Sequence, residues 1–559
     1  MFRRFFVYWC LMILIGCGAL AILIQIDAAK LAVPVTLHEP PARGVLLLVP
    51  LDSRPPCTDY VVKIARMAGF QVLIPPREFL DDYRRPANKA AIAQWLQQNA
   101  AQADAAILSV DMLVHGGLLA SRQAAGSNRD RVDTLALLEM LHQKWPRLKL
   151  YVFSILPRLL ISDDPETEKY KTAMAEWSIL QDTTTTFENP RDIEKLRTLE
   201  ASIPGGLIAR YRQLYADNRQ LNQQLIALVK SKTLAGLLIG QDDSAPFGVA
   251  NMEKQRLDDI LTANPSLRDQ IFITRATDEA ALTLLNPATQ KIPAEISRVF
   301  IHYTESQAAN TILPYMPRPL AQIVEEKLWI ANAAITQTVD DADFILVIHA
   351  GSSRSDQRHL DTEAQAVQSW LKAGRQVALV DLALDWTIDQ TLWPHLRRLG
   401  ISGPQLLAYA GWNTASNSLG TAITQAVLAL RGRVATNESA LLFRDVTRVE
   451  FLAERILDDW YYQKYYRHHL NDRLLQEKIN PYELKQARSR VENTIRQQLY
   501  SAYSQYIRND WRNTEIGDHL QPPHSYVATD WQVRSGLPWE RTFEIYVDLR
   551  MSPARVLAR

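Results

Sequence analysis

A chain of 559 residues with 47% hydrophobic residues is long enough to bury more than one core, since a single core stops growing at about 250–300 residues. Its 62 Lys and Arg against 61 Asp and Glu leave a formal charge of +1, which excludes a global field drawing it to nucleic acid or an anionic membrane, so partners are recognised locally. Cys10 and Cys17 sit near the N-terminus and leave only Cys57 beyond, which excludes an intrachain disulfide in the remainder of the chain.

Arg3 and Arg4 precede an uncharged run from Phe5 to Ile26, after which Asp27 and Lys30 restore a soluble composition. About 20 apolar residues cross a bilayer, and arginines ahead of such a run predict a cytoplasmic N-terminus with the main domain outside. Residues 1–30 therefore read as the uncleaved anchor of a single-pass protein of the bacterial cytoplasmic membrane. Leu14-Ile15-Gly16-Cys17 offers the alternative of a lipoprotein with its lipid on Cys17, and Ala19-Leu20-Ala21 that of a cleaved signal. Apolarity continues from Ala19 to Ile26, which favours the anchor. Pro34, Pro40 and Pro41 make residues 31–43 an extended tether.

From residue 44, short apolar runs alternate with helical patterns at 45–51, 71–74, 105–110, 148–156, 236–239, 271–274, 298–302, 344–349, 376–380 and 405–409. Continuous apolarity means burial on both faces, and helices between such strands make βα units of a parallel sheet. Charged helices are expected at 164–230, and a stretch at 447–515 carries Trp460, Tyr461, Tyr462, Tyr465 and Tyr466 at helical spacing, read as aromatics packed on the body. The fold class is α/β. Two parallel-sheet domains, 44–230 with the helical insertion and 231–440, face a cleft at the strand carboxyl ends, and a helical region at 441–559 packs on them. A modified (β/α)₈ barrel is the alternative.

Ligands of parallel α/β folds bind beyond the carboxyl ends of strands, and polar residues crowd there. Asp52 and Arg54 follow the first strand; Asp111, His115 and Arg122 follow the third; Arg158 ends the fourth. Gln241, Asp242 and Asp243, then Asp278 and Glu279, follow the next two. His349, Ser352, Ser353 and Arg354, then Asp381 and Asp385, and finally Trp412, Asn413 and Asn417 follow the last three. Asp243, Glu279, Asp242, Asp278 and Asp111 are the catalytic candidates, with Asp243 and Glu279 as the first pair. Asp52, Arg54, His115, Arg122, Arg158, Gln241, Trp412, Asn413 and Asn417 are the candidates for holding substrate.

Neither His115 nor His349 sits in zinc-ligand spacing. The Gly-Gly pairs at 116–117 and 205–206 lack a phosphate-loop context, and no Gly-x-Ser-x-Gly elbow is present. No cofactor is required by the pattern, although Asp52, Asp111 and Asp243 are the oxygen ligands that Mg²⁺ or Ca²⁺ would use.

Val49-Pro50-Leu51-Asp52-Ser53-Arg54-Pro55, Ser109-Val110-Asp111-Met112-Leu113-Val114-His115-Gly116-Gly117, Gly240-Gln241-Asp242-Asp243-Ser244, Thr277-Asp278-Glu279 and Ala408-Tyr409-Ala410-Gly411-Trp412-Asn413-Thr414 together resemble the bacterial domain-of-unknown-function family 4127. The resemblance runs from about residue 44 to Leu537-Pro538-Trp539-Glu540-Arg541 and implies no established activity. The family pattern has tyrosine where this chain has His115, which argues against a catalytic role there. Paired carboxylates suit glycoside cleavage, so the leading reading is a hydrolase acting on a carbohydrate or glycoconjugate. A divalent-metal-dependent hydrolase and a non-enzymatic polar-ligand receptor of the cell envelope are the alternatives. The expected partners are a small-molecule or glycan ligand and the membrane through the N-terminal helix, and no nucleic acid.

Overall fold

The computed structural model describes residues 32–123, 126–159, 167–290, 296–352, 355–384, 387–434, 437–511, 514–517 and 526–556. The expected anchor at 1–30, with Cys10 and Cys17, lies outside them, as do Ser353, Arg354 and Asp385. Among the described residues no helix is long and apolar enough to cross a membrane.

Strand β1 (Ala32–Pro34) precedes the first parallel unit. β2 (Gly44–Val49), β3 (Phe70–Leu73), β4 (Ala105–Ser109), β5 (Lys149–Leu156), β6 (Gly236–Gln241) and β7 (Ile271–Arg275) form a six-stranded sheet in the order β3-β2-β4-β5-β6-β7. β8 (Ser297–Tyr303), β9 (Ala333–Ile335), β10 (Phe344–Gly351), β11 (Val377–Ala383) and β12 (Ala408–Ala410) form a second, in the order β12-β11-β10-β8-β9. All neighbours in both sheets are parallel. Both units lay their second strand outside the first and bring the third back on the other side, so each has a topological switch point, at β2/β4 and at β8/β10. The ten expected strands are all here, in two sheets rather than a closed barrel.

Continuous apolar strands become two-faced cores because successive side chains point to opposite sides. In β2, Leu47 and Val49 enter one cluster while Leu46 and Leu48 enter another across the sheet. In β10, Ile345 and Val347 face one way while Phe344, Leu346 and Ile348 face the other. Each such side chain stabilises the fold by about 1.5–3 kcal/mol on full burial.

Three sequence boundaries are corrected by the pairing. The division at 230/231 separates β6 and β7 from the sheet they complete: Tyr151 of β5 lies opposite Gly236 of β6, so helices Lys171–Phe187, Pro190–Ser202 and Gly205–Lys230 are an enlarged crossover inside the first unit. The C-terminal region is not only helical, since β13 (Glu515–Ile516), β14 (Tyr526–Gly536) and β15 (Tyr546–Val556) build an antiparallel sheet against it. β1 joins that sheet, Ala32 opposite Val556, so the start of the expected tether is docked on the body. Trp460, Tyr461, Tyr462 and Tyr466 are buried as expected, while Tyr465 is exposed.

Candidate active site

The segments leaving β4, β5 and β6 close over a cavity of about 340 Å³, within the range of small-molecule sites. Asp111 and His115 reach it from the helix Val110–His115, which starts directly at the end of β4 because the Ser109 hydroxyl accepts the Met112 N–H at 3.2 Å. Gly116 ends that helix at φ 91, where a Cβ would meet Pro86 Cβ at 2.8 Å and the Ala87 backbone at 3.0 Å. The tight exit returns the chain so that Arg122 also lines the cavity. Pro157 enters from β5 and Asp242 from β6, while Asp217 and Asn218 come from helix Gly205–Lys230 and Arg131 from helix Asn128–Lys144.

Two carboxylates in this wall are driven apart in acidity. Burial pushes Asp111 up to about 7, and hydrogen bonds from the Ile155 N–H at 3.0 Å and from Ser121 offset only part of that cost. Asp242 is as deeply buried, yet Arg122, Arg275 and Arg158 together outweigh the burial and hold it well below the usual carboxylate range. Arg122 approaches Asp242 Oδ2 with Nη2 at 2.7 Å and Nε at 3.2 Å, and Thr277 donates to Oδ1 at 3.0 Å. Near neutrality the cavity therefore holds one carboxyl that shares its time between protonated and ionised forms and one that stays ionised.

The pair favoured from sequence does not form. Asp243 is bound to Arg275 at 2.6 Å, and burial together with the charge of Asp242 raises its pKa. Glu279 is sealed, 1% exposed, on Lys327 Nζ at 2.9 Å and Ser416 Oγ at 2.5 Å. Neighbouring side chains at a strand end diverge, so the acid four residues past β7 turns to the second unit instead of the cavity.

Asp52, Arg54 and Asp278 form a closed cluster. Arg54 grips Asp52 with Nε at 3.0 Å and Nη2 at 2.6 Å, also contacts Asp278, and lies under Trp539 with 5.0 Å to the ring centroid. Asn417 Nδ2 reaches Asp278 Oδ2 at 3.0 Å from the second unit. Asp52 and Arg54 do not line the cavity and are held by one another, so they brace the loops instead of meeting a ligand. Gln241 is likewise buried against Asn251. Trp412 is buried and its carbonyl accepts the Ser418 hydroxyl, while Asn413 holds a left-handed turn at φ 53 past β12; neither lines the cavity. Arg158 acts on Asp242 through its charge. His349 is fully buried between Thr304 and the Gln390 carbonyl.

The expected cation ligands do not converge. Asp52 is met by Arg54, Asp111 by the Ile155 N–H and Asp243 by Arg275. Asp52, Cys57 and Asp278 do bring ligand atoms within 4.8 Å of one another. Arg54, however, bonds both of those carboxylates, so a cation there would have to displace its guanidinium or face its positive charge. These residues do not fit Mg²⁺ or Ca²⁺.

Sequence reasoning missed Asp217, Asn218, Arg131, Ser121 and Arg275. The first three stand on helices among many solvated polar residues, where no spacing distinguishes them. Arg275 was visible as the last residue of β7, a strand end like those that supplied the other candidates.

His115 has the opposite fate from a base. Burial and Lys89 lower it to about 4, and its Nδ1 accepts the Gly126 N–H at 3.0 Å. Proton-detected spectra of labelled histidine, assigned with His115→Gln, should show a ring that does not titrate between about pH 5.5 and 8. A midpoint near the ordinary 6.5 would restore His115 as a base.

The family profile described as "Protein of unknown function (DUF4127)" matches residues 46–548. No curated protein matches the chain. Among solved structures, "The first ketoreductase of the tylosin PKS" is similar at TM-score 0.16 and 11% identity, covering 72% of this chain and 78% of that chain. A "C2-type Ketoreductase from a Modular Polyketide Synthase" is similar at TM-score 0.16 and 12% identity, covering 70% and 78%. Likeness at that level transfers neither fold nor chemistry.

Proposed function

The chain belongs to the DUF4127 family, and from the chemistry of its cavity we propose an exported, membrane-tethered hydrolase that cleaves a glycosidic bond in a carbohydrate or glycoconjugate. The observation that carries this reading is the split between Asp111 and Asp242 in one cavity wall. Glycoside cleavage needs a carboxylic acid that can part with a proton near the working pH and a carboxylate that remains charged as the oxocarbenium-like transition state develops. Asp111, at about 7, protonates the leaving oxygen as the glycosidic C–O bond breaks. Asp242, kept ionised and aimed by Arg122, stabilises the positive charge on the sugar carbon. Water then supplies hydroxide to that carbon and returns a proton to Asp111. Tethering and export rest on Arg3 and Arg4 ahead of the uncharged run from Phe5 to Ile26.

The test is turnover of a panel of alkyl and oligosaccharide glycosides by the full-length protein, followed against pH. The rate should fall as pH rises through about 7, where Asp111 loses its proton, and a chelator should leave it unchanged. A profile flat across that range, or an Asp242→Asn variant with wild-type rates, sinks the assignment.

A further inference from the structure

We propose that the substrate of this cavity carries a single carboxylate, which docks against the guanidinium of Arg131. The inference deepens the acid–base reading of the same cavity and rests on it. The charged groups of the wall fall into two classes. Arg122 and Asp242 are partners, 2.7 Å apart. Arg131 and Asp217 line the same space, and neither forms an ion pair among the described residues. Arg131 meets only the neutral Asn128 amide through Nη2, and its Nε is buried with no hydrogen-bond partner. Asp217 meets only the neutral Gln213 amide, at 2.9 Å.

A guanidinium that lines a cavity without an ion-pair partner is placed to take an anionic group from a ligand. The planar fork of arginine fits the two oxygens of a carboxylate. Arg131 stands in the first turn of the helix Asn128–Lys144. His115 contributes a second donor, because its Nδ1 is taken by the Gly126 N–H and the neutral ring therefore carries its proton on Nε2.

The count of charges argues for a monoanion. Beyond Arg131, the ligand would face Asp217, Asp111 and the compensated Asp242, so a dianion such as phosphate would set its second charge against carboxylates. Asp217 and Asn218 suit hydroxyl groups instead. The ligand class is a hydroxylated monocarboxylate, a sugar acid within the glycan.

Calorimetric titration of the full-length protein with glucuronate, glucose and inorganic phosphate tests this. Glucuronate should bind about tenfold or more tightly than either of the others. Arg131→Gln should bring glucuronate to the affinity of glucose and leave glucose unchanged, Arg131→Lys should keep part of the preference, and Arg129→Gln, at a side chain 89% exposed nearby, should alter nothing. Equal binding of glucose and glucuronate, tighter binding of phosphate, an unchanged preference in Arg131→Gln, or no binding of glucuronate by a cooperatively folded sample each overturns the proposal. Asp111→Asn separates the two readings. If it keeps the glucuronate preference and loses turnover, both stand. If it keeps turnover, the acid–base reading fails while the glucuronate titration still decides the subsite.

Discussion

Replacing Asp111 with Asn lowers kcat by about 10²–10⁴ on a glycoside with an alkyl leaving group and far less on a nitrophenyl glycoside, whose leaving oxygen needs little protonation. The amide keeps the shape and can still accept the Ile155 N–H, so what is lost is the proton. Stability should move the other way. Asp111 is raised from 3.8 to about 7 by burial, so in that window the folded state binds the proton more tightly than the unfolded state. Its contribution is fully present below about 4 and is lost as pH rises through about 7, at about 1.4 kcal/mol for each pH unit between those two limits. Asn carries no such dependence, and the variant should gain on the wild type in unfolding free energy from urea titrations between pH 5 and pH 8, on the order of a few kcal/mol. An inactive variant that is no less stable at the higher pH marks a catalytic loss. A variant equally weakened at both pH values would place the acid elsewhere.

Glu279→Gln should cost about 3–5 kcal/mol of stability, because it leaves the Lys327 ammonium charged and unmatched where each side chain is 1% exposed. The pair joins three elements. Glu279 follows β7, Lys327 lies on helix Leu320–Ile330 and also donates to the Arg275 carbonyl at 2.9 Å, and Ser416 comes from helix Ala415–Gly432. Packing around it is close enough that a Cβ at Gly420 would lie 2.5 Å from Glu279 Cγ. Adding Lys327→Met to Glu279→Gln should recover part of the loss, since a neutral pair removes the stranded charge. Chemical unfolding of the two variants decides it. A single variant within about 1 kcal/mol of wild type would mean that the Glu279–Lys327 pair contributes little to holding the two sheets together.

The strand ends were legible because a parallel sheet must be apolar on both faces, and a run as short and unbroken as Leu46-Leu47-Leu48-Val49 suits a strand buried on both sides. Asp111 and Asp242 were visible for the same reason, as charges at the limit of such runs. Their ranking was not visible. What separates Asp111 from Glu279 is whether the nearest groups are the Ile155 N–H and a cavity or a lysine 48 residues away, and that is settled only when β4, β5 and β6 lie side by side. The domain boundary failed on chain length. A crossover holding three helices looks like the end of a unit until Tyr151 is seen opposite Gly236. The strand β14 was hidden because its outward positions, among them Asp530 and Arg534, are polar and it lies next to long helical patterns.

The docking of β1 on β15 sets a load path. A pull on the N-terminal segment is delivered first to the pairs Ala32–Val556, Val33–Arg555 and Pro34–Ala554, at the margin of the C-terminal sheet. Behind them Arg43 is pinned, its Nη1 on the Arg431 carbonyl at 2.9 Å. The short ladder would peel before Arg43 yields and free the segment up to it, whose fully extended length is about 35–40 Å. Strain on the N-terminal segment would thus be absorbed first at the margin of the C-terminal sheet, away from β4, β5 and β6 and the carboxylates at their ends.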